Sequence, residues 1–135
     1  MPPLLCTGRD KVERTFDYTF VKDQFEETWH FRIQTVPPQP DGEAFDLSVT
    51  TLDDATVRQI MLAHHDNPAY VAMGIPDAMI PVVAAVLGKR VVSSPTTADD
   101  TGVYRTEAAT KVWNRLLEKG VASYDGIADV YEYTG

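Results

Sequence analysis

The chain reads as an α+β (α/β) protein: a mixed, mostly antiparallel central sheet with two main helices packed on it. Three observations lead there. Short stretches of alternating polar and apolar residues fill the first half. Two stretches with helical apolar spacing and clear start and stop residues, Pro76 to Leu87 and Glu107 to Lys119, occupy the second half. Between them Arg90-Val91-Val92-Ser93-Ser94 runs as a short strand, which is the layout of an α/β crossover.

The elements follow in order. Residues 1–10, MPPLLCTGRD, read as a frayed leader. From Glu13 to Val21, Phe16, Tyr18 and Phe20 share one face while Thr15, Asp17 and Thr19 share the other, as in a half-buried strand. A second strand spans Glu26 to Val36, with Trp29, Phe31, Ile33 and Thr35 on one side and His30 and Arg32 on the other. The segment 37–42, Pro-Pro-Gln-Pro-Asp-Gly, is a hairpin loop, since its prolines have no amide to donate and Asp-Gly favours a turn. Phe45, Leu47 and Val49 alternate in a third strand.

Asp53 to His65 admits two readings. Val57, Ile60, Met61 and His64 fall at helical spacing behind a capping Asp53 or Asp54, and periodicity leans that way. Alternatively, Thr56 to Ala63 is a strand with Val57, Met61 and Ala63 facing the core. Then comes the most ordered stretch of the sequence. Gly74 gives a loop its freedom, Pro76 fits a first helical turn, and Asp77 places a carboxylate among unpaired amides. Met79, Ile80, Val82, Val83, Val86 and Leu87 form an apolar stripe that Gly88 ends. The segment 95–104 reads as a mobile surface loop. Thr106 caps the second helix, with Ala109, Val112, Trp113, Leu116 and Leu117 along its apolar side, and Val121 to Tyr133 makes a closing hairpin about Asp125-Gly126.

At 135 residues the chain predicts a single domain, 1–135, with room for a hydrophobic core. Its hydrophobic content of 44% and charged content of 24% fit neither a disordered nor a membrane-spanning protein, and no apolar run approaches the ~18 residues of a span. The lone Cys6 rules out an internal disulfide and fits the reducing cytoplasm, where we place the protein. A formal charge of −8 disfavours nucleic acid, whose binding rests on phosphate contacts.

Adjacent His64 and His65, before Asp66-Asn67, are the best histidine candidates for proton transfer. Neighbouring histidines on regular structure point apart and no third ligand follows at a metal spacing, so no metal is expected.

From about Met61 to Tyr133 the order strand, glycine loop, helix, strand, helix, hairpin resembles the GNAT acyltransferases, and in particular compact phage- or prophage-type members. Val71-Ala72-Met73-Gly74-Ile75-Pro76 stands where that family has Arg/Gln-x-x-Gly-x-Gly/Ala, with Ala78 and Ile80 at the following apolar helix positions. Val91 to Ser94 and Arg105 to Ala109, through Trp113 and Leu116 to Val121, continue the likeness. Val71 in place of Arg or Gln, and the missing amide of Pro76, erode the pyrophosphate loop. The resemblance implies that residues 56–63 form the strand before the loop. It also implies binding of acetyl-CoA or another acyl-CoA, with Met73, Gly74, Ile75, Asp77 and Ala78 about the pyrophosphate and Met61, Leu62 and Ala63 beside the pantetheine arm.

The implied activity is transfer of an acyl group to an amine of a small molecule or a basic protein, which an acidic surface suits. The family's tyrosine acid has no counterpart, because Trp113 stands near its place; His64, His65, Tyr70 and Tyr104 remain to handle protons. The alternative is a non-catalytic GNAT-like accessory module of a phage or mobile element, which binds or inhibits a protein partner or pairs with itself. Tyr131 and Tyr133 would serve as its exposed aromatics.

Overall fold

A computed structural model describes residues 3–25, 27–98 and 102–135. Strands β1 (Leu4–Thr7), β2 (Glu13–Asp23), β3 (Thr28–Thr35), β4 (Phe45–Asp53) and β5 (Thr56–Ala63) form an antiparallel meander, each pairing with the next. Helix α1 (Ile75–Leu87) then carries the chain to β6 (Arg90–Val92), which lies parallel to β5. After α2 (Glu107–Glu118), the hairpin β7 (Ala122–Asp125) and β8 (Val130–Tyr133) completes the sheet, with β8 inserted between β6 and β7. The result is one eight-stranded sheet in the order β1-β2-β3-β4-β5-β6-β8-β7. It is mixed and mostly antiparallel, and with its two helices it makes an α+β fold.

Alternation sets the layers. Phe31 opposes Phe20 on one side and Leu47 on the other, and Leu47 opposes Leu62, so these four share a face. On that face α1 buries Ile75, Met79, Ile80 and Val83, while α2 buries Ala109, Val112, Trp113 and Leu116 in the same core. Thr15, Asp17 and Thr19 of β2 and His30 and Arg32 of β3 stand on the opposite, exposed face. His30 there contacts Ser48 Oγ at 2.8 Å.

Four expectations are corrected. Residues 4–7 are not a frayed leader but the edge strand: Leu4 and Cys6 are buried, and Leu4 pairs with Phe16. Met1 and Pro2 lie outside the described residues. The helical leaning for 53–65 fails, because Thr56–Ala63 is a strand. Its pairing jumps from Val49–Gln59 to Ser48–Met61, so Ile60 is an extra residue without a partner across the ladder. That bulge breaks the two-residue period and leaves an apolar spacing that imitates a helix. It also turns Met61 outward, 41% exposed, rather than toward the core. Tyr131 is buried, stacked on Trp113 with its hydroxyl donating to Asn114, so it offers no partner surface.

The 95–104 segment is pinned where it is described: Pro95 C=O accepts from Arg105 N–H at 2.8 Å, and Thr96 N–H donates to Asp129 at 2.8 Å. Asp99, Asp100 and Thr101 lie outside the described residues. So does Glu26, where the second predicted strand was to begin; β3 itself runs Thr28–Thr35.

Caps explain where the helices stop and start. Gly74 (φ 75°) precedes α1 and Gly88 (φ 63°) ends it, its N–H donating to Ala84 C=O. Thr106 Oγ1 accepts the Ala109 N–H at 3.2 Å at the start of α2.

Candidate binding cleft where β5 and β6 part

The parallel pairing of β5 with β6 lasts only three residue pairs, Thr56–Arg90 to Arg58–Val92. Ser94 then donates its hydroxyl to Gln59 C=O at 2.8 Å, and no strand pairing joins β5 and β6 beyond Arg58–Val92 among the described residues. The Ile60 bulge in the β4–β5 ladder falls at this point. Past it, Leu62 and Ala63, with Phe45 behind them and Ala108 and Val112 of α2 in front, line an apolar cleft of about 280 Å³. His64 stands at its rim and also borders a second cleft of about 430 Å³, which continues past Met73, Gly74 and Pro76 to the start of α1. Partly open sheets place ligands in such crevices beyond a strand's carboxyl end.

The residues expected about a cofactor divide. Leu62 and Ala63 line the first cleft, and Met73 and Gly74 the second. Met61 lines neither, facing out of the sheet. Ile75 is fully buried in the core, and Ala78 packs against that core while its N–H donates to Gly74 C=O at 3.2 Å. Asp77 turns its carboxylate to Arg115, whose Nε and Nη2 donate at 2.7 and 2.8 Å. Gly74 has a packing reason of its own: a Cβ there would sit 2.1 Å from Thr7 C=O. The glycine admits the end of β1, and the neighbouring bond from Arg9 N–H to Ala72 C=O (2.9 Å) locks the two segments together.

The proton-transfer candidates also separate. His64 Nδ1 accepts the Asp66 N–H at 2.9 Å, so the neutral ring carries its proton on Nε2. His65 Nε2 contacts Asp46 Oδ2 at 2.7 Å on the outer rim of the cleft. Tyr70 borders the second cleft, but its hydroxyl donates to Glu43 C=O (2.8 Å) and accepts from Thr35 N–H (3.2 Å) in a buried position. It braces the 37–44 loop and has no proton to spare. Tyr104 is 55% exposed and lines neither cleft. Trp113 spends its indole N–H on Gln59 Oε1 at 3.3 Å inside the core. Cys6 is buried, and burial with the nearby Asp77 charge pushes its thiol up to about 12, out of nucleophilic range. Among the described residues no three His, Cys, Asp or Glu side chains gather as metal ligands.

Sequence reasoning missed the buried polar knot behind the cleft. Arg105, nearly inaccessible, donates to Asp129 Oδ1 (2.7 Å), Asp129 C=O (2.9 Å), Ser94 C=O (3.0 Å) and Thr110 Oγ1 (2.8 Å), and it stacks over Tyr131. The Thr96 hydroxyl and Arg105 hold the Asp129 carboxyl well below the usual carboxylate range. An arginine directly before a helix cap was the only hint of this in the sequence.

Set against protein-family models, curated proteins and solved structures, the chain matches none. Among its described residues no helix is long and apolar enough to cross a membrane.

Proposed function

We propose that the protein is a GNAT-type N-acyltransferase that moves an acetyl or other acyl group from coenzyme A to an amine. The observation that supports this reading is the parting of β5 from β6 beside the start of α1. An apolar cleft opens there along the free edge of β5. Past Arg58 the edge of β5 that faces away from β4 has no paired strand among the described residues. Such an edge can bond an extended, amide-bearing arm as a neighbouring strand would, and pantetheine is such an arm. Phe45, Ala108 and Val112 supply apolar walls and keep water from it.

Bound there, acyl-coenzyme A would supply an activated carbonyl for attack by a neutral amine. The C–S bond breaks as the amide forms, and the amine's proton passes to the departing sulfur, so that coenzyme A leaves as its thiol. This chain's part is to hold that carbonyl, exclude water and stabilise the charge developing on its oxygen. His64 is suited to stabilising that charge. With Nδ1 held by the Asp66 amide, Nε2–H is the donor it presents at the junction of the two clefts.

A second reading, a non-catalytic module that binds a protein partner, is favoured by two observations. Gly74 is filled by Thr7, and the Tyr70 hydroxyl is engaged on both sides. One experiment separates the two. Acetyl-CoA is titrated calorimetrically into the wild type and into Ala108→Trp, whose bulk enters the cleft from an exposed helix position. Micromolar binding lost in the variant, with thiol release in the presence of a polyamine, supports the enzyme. No heat and no thermal shift at millimolar ligand sinks the coenzyme reading and leaves the partner-binding one.

A further inference from the structure

An acidic chain of formal charge −8 carries twelve Lys and Arg residues, and four of them line one groove while a fifth borders the cleft beside it. Arg9 and Lys11 come from the β1–β2 turn, which bonds Gly8 N–H to Val12 C=O and Lys11 N–H to Gly8 C=O, each at 3.0 Å. Lys111, Arg115 and Lys119 come from α2, where spacings of four residues put them on one helical face. Arg9, Lys11, Arg115 and Lys119 line a groove of about 430 Å³ beside Gly74, and Lys111 borders the adjoining cleft with Arg9 and Arg115.

Among the described residues only two carboxylates, Asp77 and Glu107, line the groove and cleft with this set. Glu107 is a weak partner, with Lys111 Nζ 3.9 Å from it and both side chains exposed. Like charges at four-residue spacing destabilise a helix slightly, and Asp77, with Glu118 nearby, offsets the Arg115 charge.

We propose that this groove binds a small, multiply phosphorylated anion, and that Asp77 occupies its centre when the anion is absent. The side chain of Asp77 is 11% exposed and meets the Arg115 guanidinium with both oxygens, at 2.7 and 2.8 Å. That two-pronged contact is how arginine grips a phosphate, so the carboxylate stands in for one phosphate oxygen pair and must yield Arg115 to the ligand. Arg9, Lys11 and Lys119 then meet the remaining negative charge. The size of the groove favours a compact anion, and the acidic balance of the remaining surface opposes an extended nucleic acid. The inference does not depend on acyl transfer, since the grip comes from side chains and not from the eroded loop amides.

The test is calorimetric titration of the full chain with sodium pyrophosphate and tripolyphosphate at low and moderate salt. The wild type should bind both, more weakly as salt rises. Asp77→Asn should tighten binding about tenfold, because the competitor loses its charge. The double variant Arg9→Glu with Lys119→Glu, both at exposed positions, should weaken it by more than about tenfold. Absence of binding to both wild type and Asp77→Asn overturns the proposal, and so does binding indifferent to the double variant.

Adenosine 3′,5′-bisphosphate and coenzyme A identify the source of the phosphates. Competition between coenzyme A and pyrophosphate places both ligands in this groove. Pyrophosphate binding without coenzyme A binding keeps the groove and removes the acyltransferase reading. Acetyl-CoA binding that the double variant leaves intact does the reverse.

Discussion

Two nearby loop positions, Ala72 and Gly74, show how single residues fix the entrance to α1. Gly74 has φ 75° and touches Thr7, so Gly74→Ala combines left-handed strain with a collision against backbone; we expect a loss of about 2–4 kcal/mol in urea unfolding. A loss below about 1 kcal/mol would mean that β1 can withdraw without cost. Substitution of Gly74 is therefore a poor probe of ligand binding, because it undocks a strand. Ala72 adopts φ 57° without a glycine's freedom, and its carbonyl holds Arg9. Ala72→Gly should raise stability by about 0.5 kcal/mol, strain relief outweighing the added entropy of the unfolded chain. Cys6 makes a simpler statement. With its thiol buried and shifted up to about 12, a colourless-to-yellow thiol reagent at pH 8 should leave the folded protein unmodified and titrate one thiol in denaturant. Rapid native labelling would show that β1 opens freely.

At the scale of elements, the Arg105–Asp129 knot ties three pieces together: the end of β6, the approach to α2 and the β7–β8 turn. The Asp129 carboxyl titrates below its unfolded value of ~3.9. Its contribution is therefore complete above that value and is lost as pH falls through the lower, folded one. Thermal melts should show the wild type more stable than Asp129→Asn at pH 7, with the gap narrowing between about pH 4 and pH 2. A gap that stays constant across that window would mean the charge is not what the knot uses.

Elements differed in how openly the sequence declared them. β2, β3 and β4 keep a strict alternation, and both helices carry their caps and stripes, so these could be read directly. β1 is only four residues long and its outward Leu5 blurs the alternation of Leu4 and Cys6. β5 hides behind the Ile60 bulge, which changes phase in mid-strand. The site was less legible for a related reason. Its cleft arises where two strands part company, which is a property of pairing and not of any local motif. The spacing of Lys111, Arg115 and Lys119 is visible in the sequence, but Arg9 and Lys11 join them only because the β1–β2 turn docks on Ala72.

Taken whole, the molecule is two unequal parts that share a short seam. β1 to β5 connect strand to strand, so their contacts are close in sequence and form one cooperative meander. β6, β8 and β7 attach to it through three parallel residue pairs and the packing of α1 and α2. The same seam opens the cleft, because a longer β5–β6 ladder would close it. The cleft thus lies where ladder bonds are missing at the middle of the sheet. Native-state hydrogen exchange should register that gap. Amides of β3 and β4 should open only with global unfolding, while those of β6 to β8 should open at a lower free energy in a shared subglobal step. Val57→Ala, at a fully buried seam position that pairs with Val91, should lower the subglobal step by about 1–2 kcal/mol and the global one by a similar amount. Ser123→Ala, on the outer strand β7, should leave both steps within about 0.5 kcal/mol. Uniform protection across all eight strands would refute a weak seam, and the cleft would then have to open without any loosening of the sheet around it.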